Sequence, residues 1–238
     1  MKCSGALPLS APVLRHNKPK TTKRRSSGLA QRFASGDGCA MTTVATPVDV
    51  YYKKRIPYAC RDQTFAFDVA HTLFSSYQVD EGTDLFLRTI APQPPQTILD
   101  LGCGCGVIGI VLARWFSHAR VILVDRDLLA VRYARHNATL NQTPNVEVVG
   151  SVGFENVPDI PFDLIVSNIP AKIGDEAIER EFILEPLEHL RPGGEYWFVV
   201  VSGLNRLIPA LGRRHQLRMK EVKKRAGHTV YHIHRTPA

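Results

Sequence analysis

Short apolar runs alternate with stretches of helical spacing through the middle of the chain. Thr97–Leu101, Arg120–Asp125, Val146–Gly150, Phe162–Asn168 and 194–201 read as strands. Between them, helices are predicted over about 106–117, 127–140 and 175–190, the last interrupted at Pro186. Short apolar strands spaced by amphipathic helices build a parallel, doubly wound sheet. Upstream, "VDVYYKKRIPYA" has β-type residues broken by Pro57. "DEGTDLFLRTIA" opens with capping residues and sets Leu85, Leu87 and Ile90 on one helical side. Downstream, a helix-like stretch over 204–214 precedes two strand candidates, "MKEVKKR" and "HTVYHIHR", separated only by Ala226-Gly227. A connection that short joins only antiparallel neighbours. The pattern therefore predicts an α/β, Rossmann-like sheet, mostly parallel, closed by a C-terminal antiparallel hairpin.

Composition adds one asymmetry. Residues 1–36 hold eight Lys and Arg and no acid, so the whole formal charge of +8 in this 238-residue chain resides there. That segment has no period of 2 or 3.6 and is rich in Ser, Pro and Gly, so disorder is its default. Residues 1–45 are predicted to be a disordered basic tail; 46–238 form one domain, with 46–92 as its lead-in. The acid-free start also permits an organelle transit peptide, an RNA-touching arm, or translation beginning at Met41. No apolar run approaches the ~20 residues of a membrane span. Five cysteines without a C-x-x-C pair or zinc spacing suggest free thiols in a reducing, cytoplasmic setting and no metal.

Candidate chemistry begins at 98–109, "ILDLGCGCGVIG", where four glycines follow the first central strand. Gly104 to Gly109 spell a literal G-x-G-x-x-G, the dinucleotide fingerprint. Asp100 followed by Gly102, Gly104 and Gly106 resembles instead the first motif of class I S-adenosylmethionine methyltransferases. Asp125, ending the next strand, is placed to accept ribose hydroxyls, and both cofactor classes use such an acid. An unliganded glycine-rich turn is the third reading. Within the loop and its distant acid, Asp100 alone separates the first two, and with the closing hairpin it favours the methyltransferase. That resemblance implies that Gly102, Gly104 and Gly106 line the methionine part of S-adenosylmethionine, with N–H groups exposed at the helix start. It also implies that Asp100 faces the cofactor's amino group and that Ser151 and Val152 grip the adenine.

The fourth central strand ends in Asn168-Ile169-Pro170, then Ala171. This resembles the N-[I/L]-P-[Y/F] turn of ribosomal adenosine dimethylases, with alanine in place of the aromatic. In that family the Asn carbonyl and the next backbone carbonyl accept the two hydrogens of a base amine and aim its lone pair at the methyl. The segment 74–90 resembles the "methyltransferase small domain" family, which includes ribosomal guanine-N2 enzymes. Together these imply methyl transfer to an exocyclic base nitrogen of ribosomal RNA, with Asn168 and Pro170 at the catalytic turn. Without an aromatic at Ala171, a stacked base would need Phe74 or Phe182. A small-molecule or protein acceptor, a dehydrogenase, and a non-catalytic cofactor-binding protein are the alternatives. Two features stand apart: eight basic residues between Arg206 and Arg225 with Glu221 the only acid, and His228, His232 and His234 on one face of the last strand.

Overall fold

The computed structural model describes residues 49–73 and 78–236; the basic tail and Phe74 lie outside them. Strands β1 (Tyr52–Cys60) and β2 (Gln63–Ala70) pair antiparallel as a two-stranded ribbon. Pro57 does not break β1 but pairs in register with Ala66. Both strands of such a ribbon are edges, where a residue without an N–H is tolerated. The outer edge of β2 is closed by side chains of helix α3 (Leu128–Leu140) and its C-cap. Asn137 accepts from Asp68 N–H at 2.8 Å and donates to its carbonyl at 3.0 Å. Asn141 does the same for Ala66 at 3.0 and 2.7 Å. Two asparagines one helical turn apart thus substitute for a third strand. Asn137 also donates to the Cys105 carbonyl at 2.9 Å, tying the ribbon to the glycine loop.

The main sheet has seven strands in the order β5-β4-β3-β6-β7-β9-β8. Strands β3 (Thr97–Leu101), β4 (Arg120–Asp125), β5 (Val146–Gly150) and β6 (Phe162–Asn168) match the expected ranges. β7 (Leu190–Val201) starts four residues before the expected 194. These five are parallel; β9 (His228–His234) enters antiparallel between β7 and β8 (Met219–Arg225). Ala226 (φ 47°) and Gly227 (φ 74°) are both left-handed, as a tight two-residue hairpin turn requires. A dinucleotide-binding sheet has six parallel strands and no such closing pair.

Helices α1 (Glu81–Thr89), α2 (Val107–Trp115) and α3 cover one face of the sheet, where Phe86, Ile110 and Val131 meet Ile98, Val121 and Trp197. The inner face of α1 is carried by Phe86 and Leu87 with Ile90, while Leu85 is only partly buried. The opposite face holds α4 (Asp175–Ala177), a π-helix (Ile178–Leu184), α5 (Glu185–His189) and α6 (Leu207–Arg214). There Ile178, Ile183 and Ile208 meet Leu99, Ile122 and Phe198. The expected break at Pro186 falls earlier, in the π turn. Pro186 lies in the first turn of α5, where a missing N–H costs nothing. The wide turn leaves the Phe182 carbonyl to accept from Tyr196 Oη at 2.7 Å. Because β4 and β6 flank β3 on opposite sides, a crevice opens at the C-terminal ends of these strands, the usual ligand position in open α/β sheets.

Candidate active site

The glycine loop sits in that crevice, between β3 and α2. Gly102 (φ 73°), Gly104 (φ 55°) and Gly106 (φ 90°) all occupy the left-handed region that disfavours side chains. The loop amides are mostly committed inward. Gly102 and Cys103 N–H donate to the Val124 carbonyl at 2.9 Å, Gly106 N–H to the Cys103 carbonyl at 2.9 Å, and Gly104 N–H to Asp125 Oδ2 at 2.8 Å. The glycines therefore supply clearance rather than the exposed donors expected from sequence. A Cβ on Gly104 would stand in open space, whereas one on Gly106 would meet Ile110 Cδ1 at 2.9 Å. Gly104 faces the opening; Gly106 packs the loop down. Phe182 closes the wall beside Gly102, where a Cβ would lie 3.6 Å from its ring.

Asp100 is buried under the loop, with Oδ2 accepting from Gly109 N–H at 2.8 Å in the first turn of α2. Its Oδ1, equally buried, has no partner. Burial pushes its carboxyl up to about 7, the Gly109 bond opposes this, and the Asp125 charge adds to it. A folded-state value above the ordinary 3.8 means that this group's contribution to stability is present in acid and lost as pH rises through about 7. Asp100→Asn, which mimics the protonated acid, is therefore expected to raise the melting temperature more at pH 8 than at pH 5. An equal gain at both pH values, read by calorimetry, would contradict the shift. Burial, with the Asp100 and Asp125 charges nearby, likewise pushes the Cys103 thiol up; burial and the Asp100 charge push that of Cys105 up to about 12. Both remain neutral wall residues, without nucleophilic character.

Asp125 is half-buried at the end of β4. Besides Gly104, it accepts from Asp127 N–H through Oδ1 at 2.9 Å. Each carboxylate oxygen keeps a further lone pair for a ligand hydroxyl. Ser151 lies beside it, its N–H donating to the Asp125 carbonyl at 3.0 Å. The Ser151 hydroxyl is spent on its own turn, donating to the Gly153 carbonyl at 2.9 Å and accepting from Asn156 N–H at 3.0 Å. Val152 and Leu128 flank this position with exposed apolar side chains, 48% and 74% accessible. Leu128 was not singled out from sequence. At the start of an amphipathic helix, a leucine is ordinarily assigned to the core.

Asn168, half-buried at the end of β6, holds the most constrained side chain of the site. Its Nδ2 donates to Asp80 Oδ2 at 2.9 Å and to Thr83 Oγ1 at 3.1 Å. A carboxylate only accepts, so the amide orientation is forced and Oδ1 is turned to the other side. Asp80 is itself held as the N-cap of α1, accepting from Thr83 N–H at 3.0 Å. Asp80 and Thr83 were missed as site residues because "DEGT" reads equally well as an ordinary helix start. Ile169 is buried and anchored by donation from its N–H to the Val199 carbonyl at 3.0 Å; Pro170 and Ala171 are exposed just beyond. The amide orientation leaves Asn168 Oδ1 as an acceptor at the C-terminal end of β6, next to the Ile169 backbone carbonyl. The three histidines of β9 do not form a cluster able to hold a metal, and no such group occurs among the described residues.

The sequence pattern of the methyltransferase small domain family matches residues 64–232. The chain is 37% identical over 126 residues to ribosomal RNA small subunit methyltransferase C of Pasteurella multocida, a match covering 52% of this chain and 38% of that protein. To the uncharacterised protein YbxB of Bacillus subtilis it is 32% identical over 150 residues, covering 62% of this chain and 74% of that one. In fold, it is similar to the 16S rRNA N2 methyltransferase of T. thermophilus, solved in complex with AdoMet and guanosine. That likeness has a TM-score of 0.66 at 22% identity, over 80% of this chain and 52% of the other. The match spans about two fifths of the length of the curated ribosomal RNA relatives.

Proposed function

The chain belongs to the methyltransferase small domain family, and from that premise we propose that it transfers a methyl group from S-adenosylmethionine to an exocyclic amine of ribosomal RNA, the N2 of a guanine. The cofactor fits the residues present. The orphaned Asp100 Oδ1 suits a donor from its amino group, and the open space at Gly104 suits its methionine part. Asp125 retains acceptors for the ribose. Exposed Val152 and Leu128 suit the faces of a purine ring, with Ser151 shaping the turn rather than contacting the base.

S-adenosylmethionine, when bound, supplies a methyl already activated on a sulfonium, so the protein contributes mainly positioning. The observation that carries the proposal is the locked amide of Asn168. An amine conjugated to a base ring is a poor nucleophile, because its lone pair is delocalised. Asn168 Oδ1 and the Ile169 carbonyl accept its two hydrogens, favour a pyramidal nitrogen and aim the lone pair. Asp80 and Thr83 hold that acceptor in place before substrate arrives. Pro170 turns the chain away and offers no competing N–H. Base stacking falls to Phe182, whose ring walls the site beside Gly102, because Ala171 cannot provide it.

Tritium transfer from labelled cofactor into separated RNA, protein and small-molecule fractions tests the proposal, with label expected in RNA. Ala171→Tyr is expected to retain or raise that transfer, since base–aromatic stacking is worth ~1–3 kcal/mol. Label found only outside RNA, together with loss of activity in Ala171→Tyr, would favour the protein or small-molecule acceptor instead.

A further inference from the structure

The two edges of the seven-stranded sheet differ in charge. Edge strand β5 belongs to the half that holds Asp125 and Ser151, and its Glu147 pairs with Arg120 of β4 at 2.7 Å. Edge strand β8 belongs to the half that follows Asn168, and Lys220, Lys223, Lys224 and Arg225 are all exposed on it. From Arg206 to Arg225 the chain carries eight basic residues against Glu221, and among the described residues only Arg214 of the eight forms an ion pair, with Glu179. Lysines on an edge strand also discourage pairing with other chains. That role asks for one or two charges, with no preference for the end of the strand nearest the site.

Register links this charge to the acceptor turn. Asn168 pairs with Val199, Val199 with Val230, and Val230 with Lys223. Residues paired in this way share a face, so Lys223 lies in the same row as Asn168, three strand spacings or about 14 Å away. In the next row toward the C-terminal rim, Val201 pairs with His228 and His228 with Arg225. The gap between is filled without a break. Gly82 lies between Asp80 and Thr83, the residues that hold Asn168, and a Cβ there would come within 2.7 Å of His228 Cδ2. Contacts therefore run from Asn168 through the start of α1 to His228 and, by strand pairing, to exposed Arg225.

Resting on the RNA reading above, we infer that this edge is the track for the RNA strand flanking the target nucleotide, with Lys223 and Arg225 meeting its phosphates. The double variant Lys223→Ala/Arg225→Ala removes two charges from the track. Arg213→Ala/Arg218→Ala removes two from the helix end and loop leading into β8, at the opposite end of that strand. Affinity for a fluorescein-labelled, guanine-containing single-stranded RNA is read by anisotropy across a salt series on the full chain. The track variant is expected to flatten the dependence of log affinity on log salt by about 1.4 units, at about 0.7 per lost contact. It should raise KM for RNA while kcat, cofactor affinity and melting temperature stay unchanged. An equal flattening in the control pair, or an unchanged slope in the track pair while RNA is still bound, overturns the track alone. A wild-type chain that binds no RNA overturns the RNA reading with it.

Discussion

Asn168→Ala is expected to lower kcat by roughly 10²-fold or more, about 2.7 kcal/mol of transition-state stabilisation, with cofactor affinity nearly unchanged. The contact matters chiefly as the amine nitrogen attacks, and an interaction realised in that state appears in kcat. Asp80 and Thr83 carry the same logic one step back, because they set the side from which Asn168 Oδ1 is offered. Thr83→Val removes one of the two acceptors at constant shape. A net hydrogen bond of ~0.5–1.5 kcal/mol sets its expected loss at up to about tenfold in kcat, while Thr83→Ser should retain most activity. Single-turnover transfer of labelled methyl, with calorimetric cofactor binding and melting curves on the same proteins, checks the series. Full activity in Asn168→Ala would refute the base-amine mechanism and leave the family assignment standing.

Asp125→Ala is expected to weaken binding of S-adenosylmethionine and its demethylated product by on the order of 10²-fold. One lost hydrogen bond to a charged acceptor is worth ~1.5–3 kcal/mol. The structure adds a second cause beyond ribose contact. Asp125 holds the Gly104 N–H at 2.8 Å and so keeps the loop in its left-handed conformation beside the opening. Asp125→Asn keeps one carbonyl acceptor and should fall between wild type and alanine. Titration calorimetry with both ligands, and with NADH as the competing class, measures this directly. Tight NADH binding with no response to S-adenosylmethionine would sink the cofactor reading.

The alternation of short strands and helices was legible in the chain because each buried strand must be apolar through most of its length and each helix on one side only. The same reasoning reached the closing hairpin, since two residues, one of them glycine, can only turn a strand back on itself. Asp100 and Asn168 could be singled out because the glycine loop and the Asn-Ile-Pro turn resemble methyltransferase motifs, and Asp125 because a carboxylate ending the second central strand suits a ribose. Pairing between distant segments could not be read this way. Pro57 looks like a strand breaker until its strand proves to be an edge, and Asn137 and Asn141 look like ordinary helix residues until β2 lies beside them. Asp80 and Thr83 show only a helix cap in sequence; their hold on Asn168 spans more than eighty positions. Local propensity is written residue by residue, but hydrogen bonds across such separations depend on where the sheet brings chain segments together. For that reason the motif of the proposed acceptor turn was visible in the chain, and the hydrogen bonds that lock its Asn168 amide were decided only by the tertiary structure.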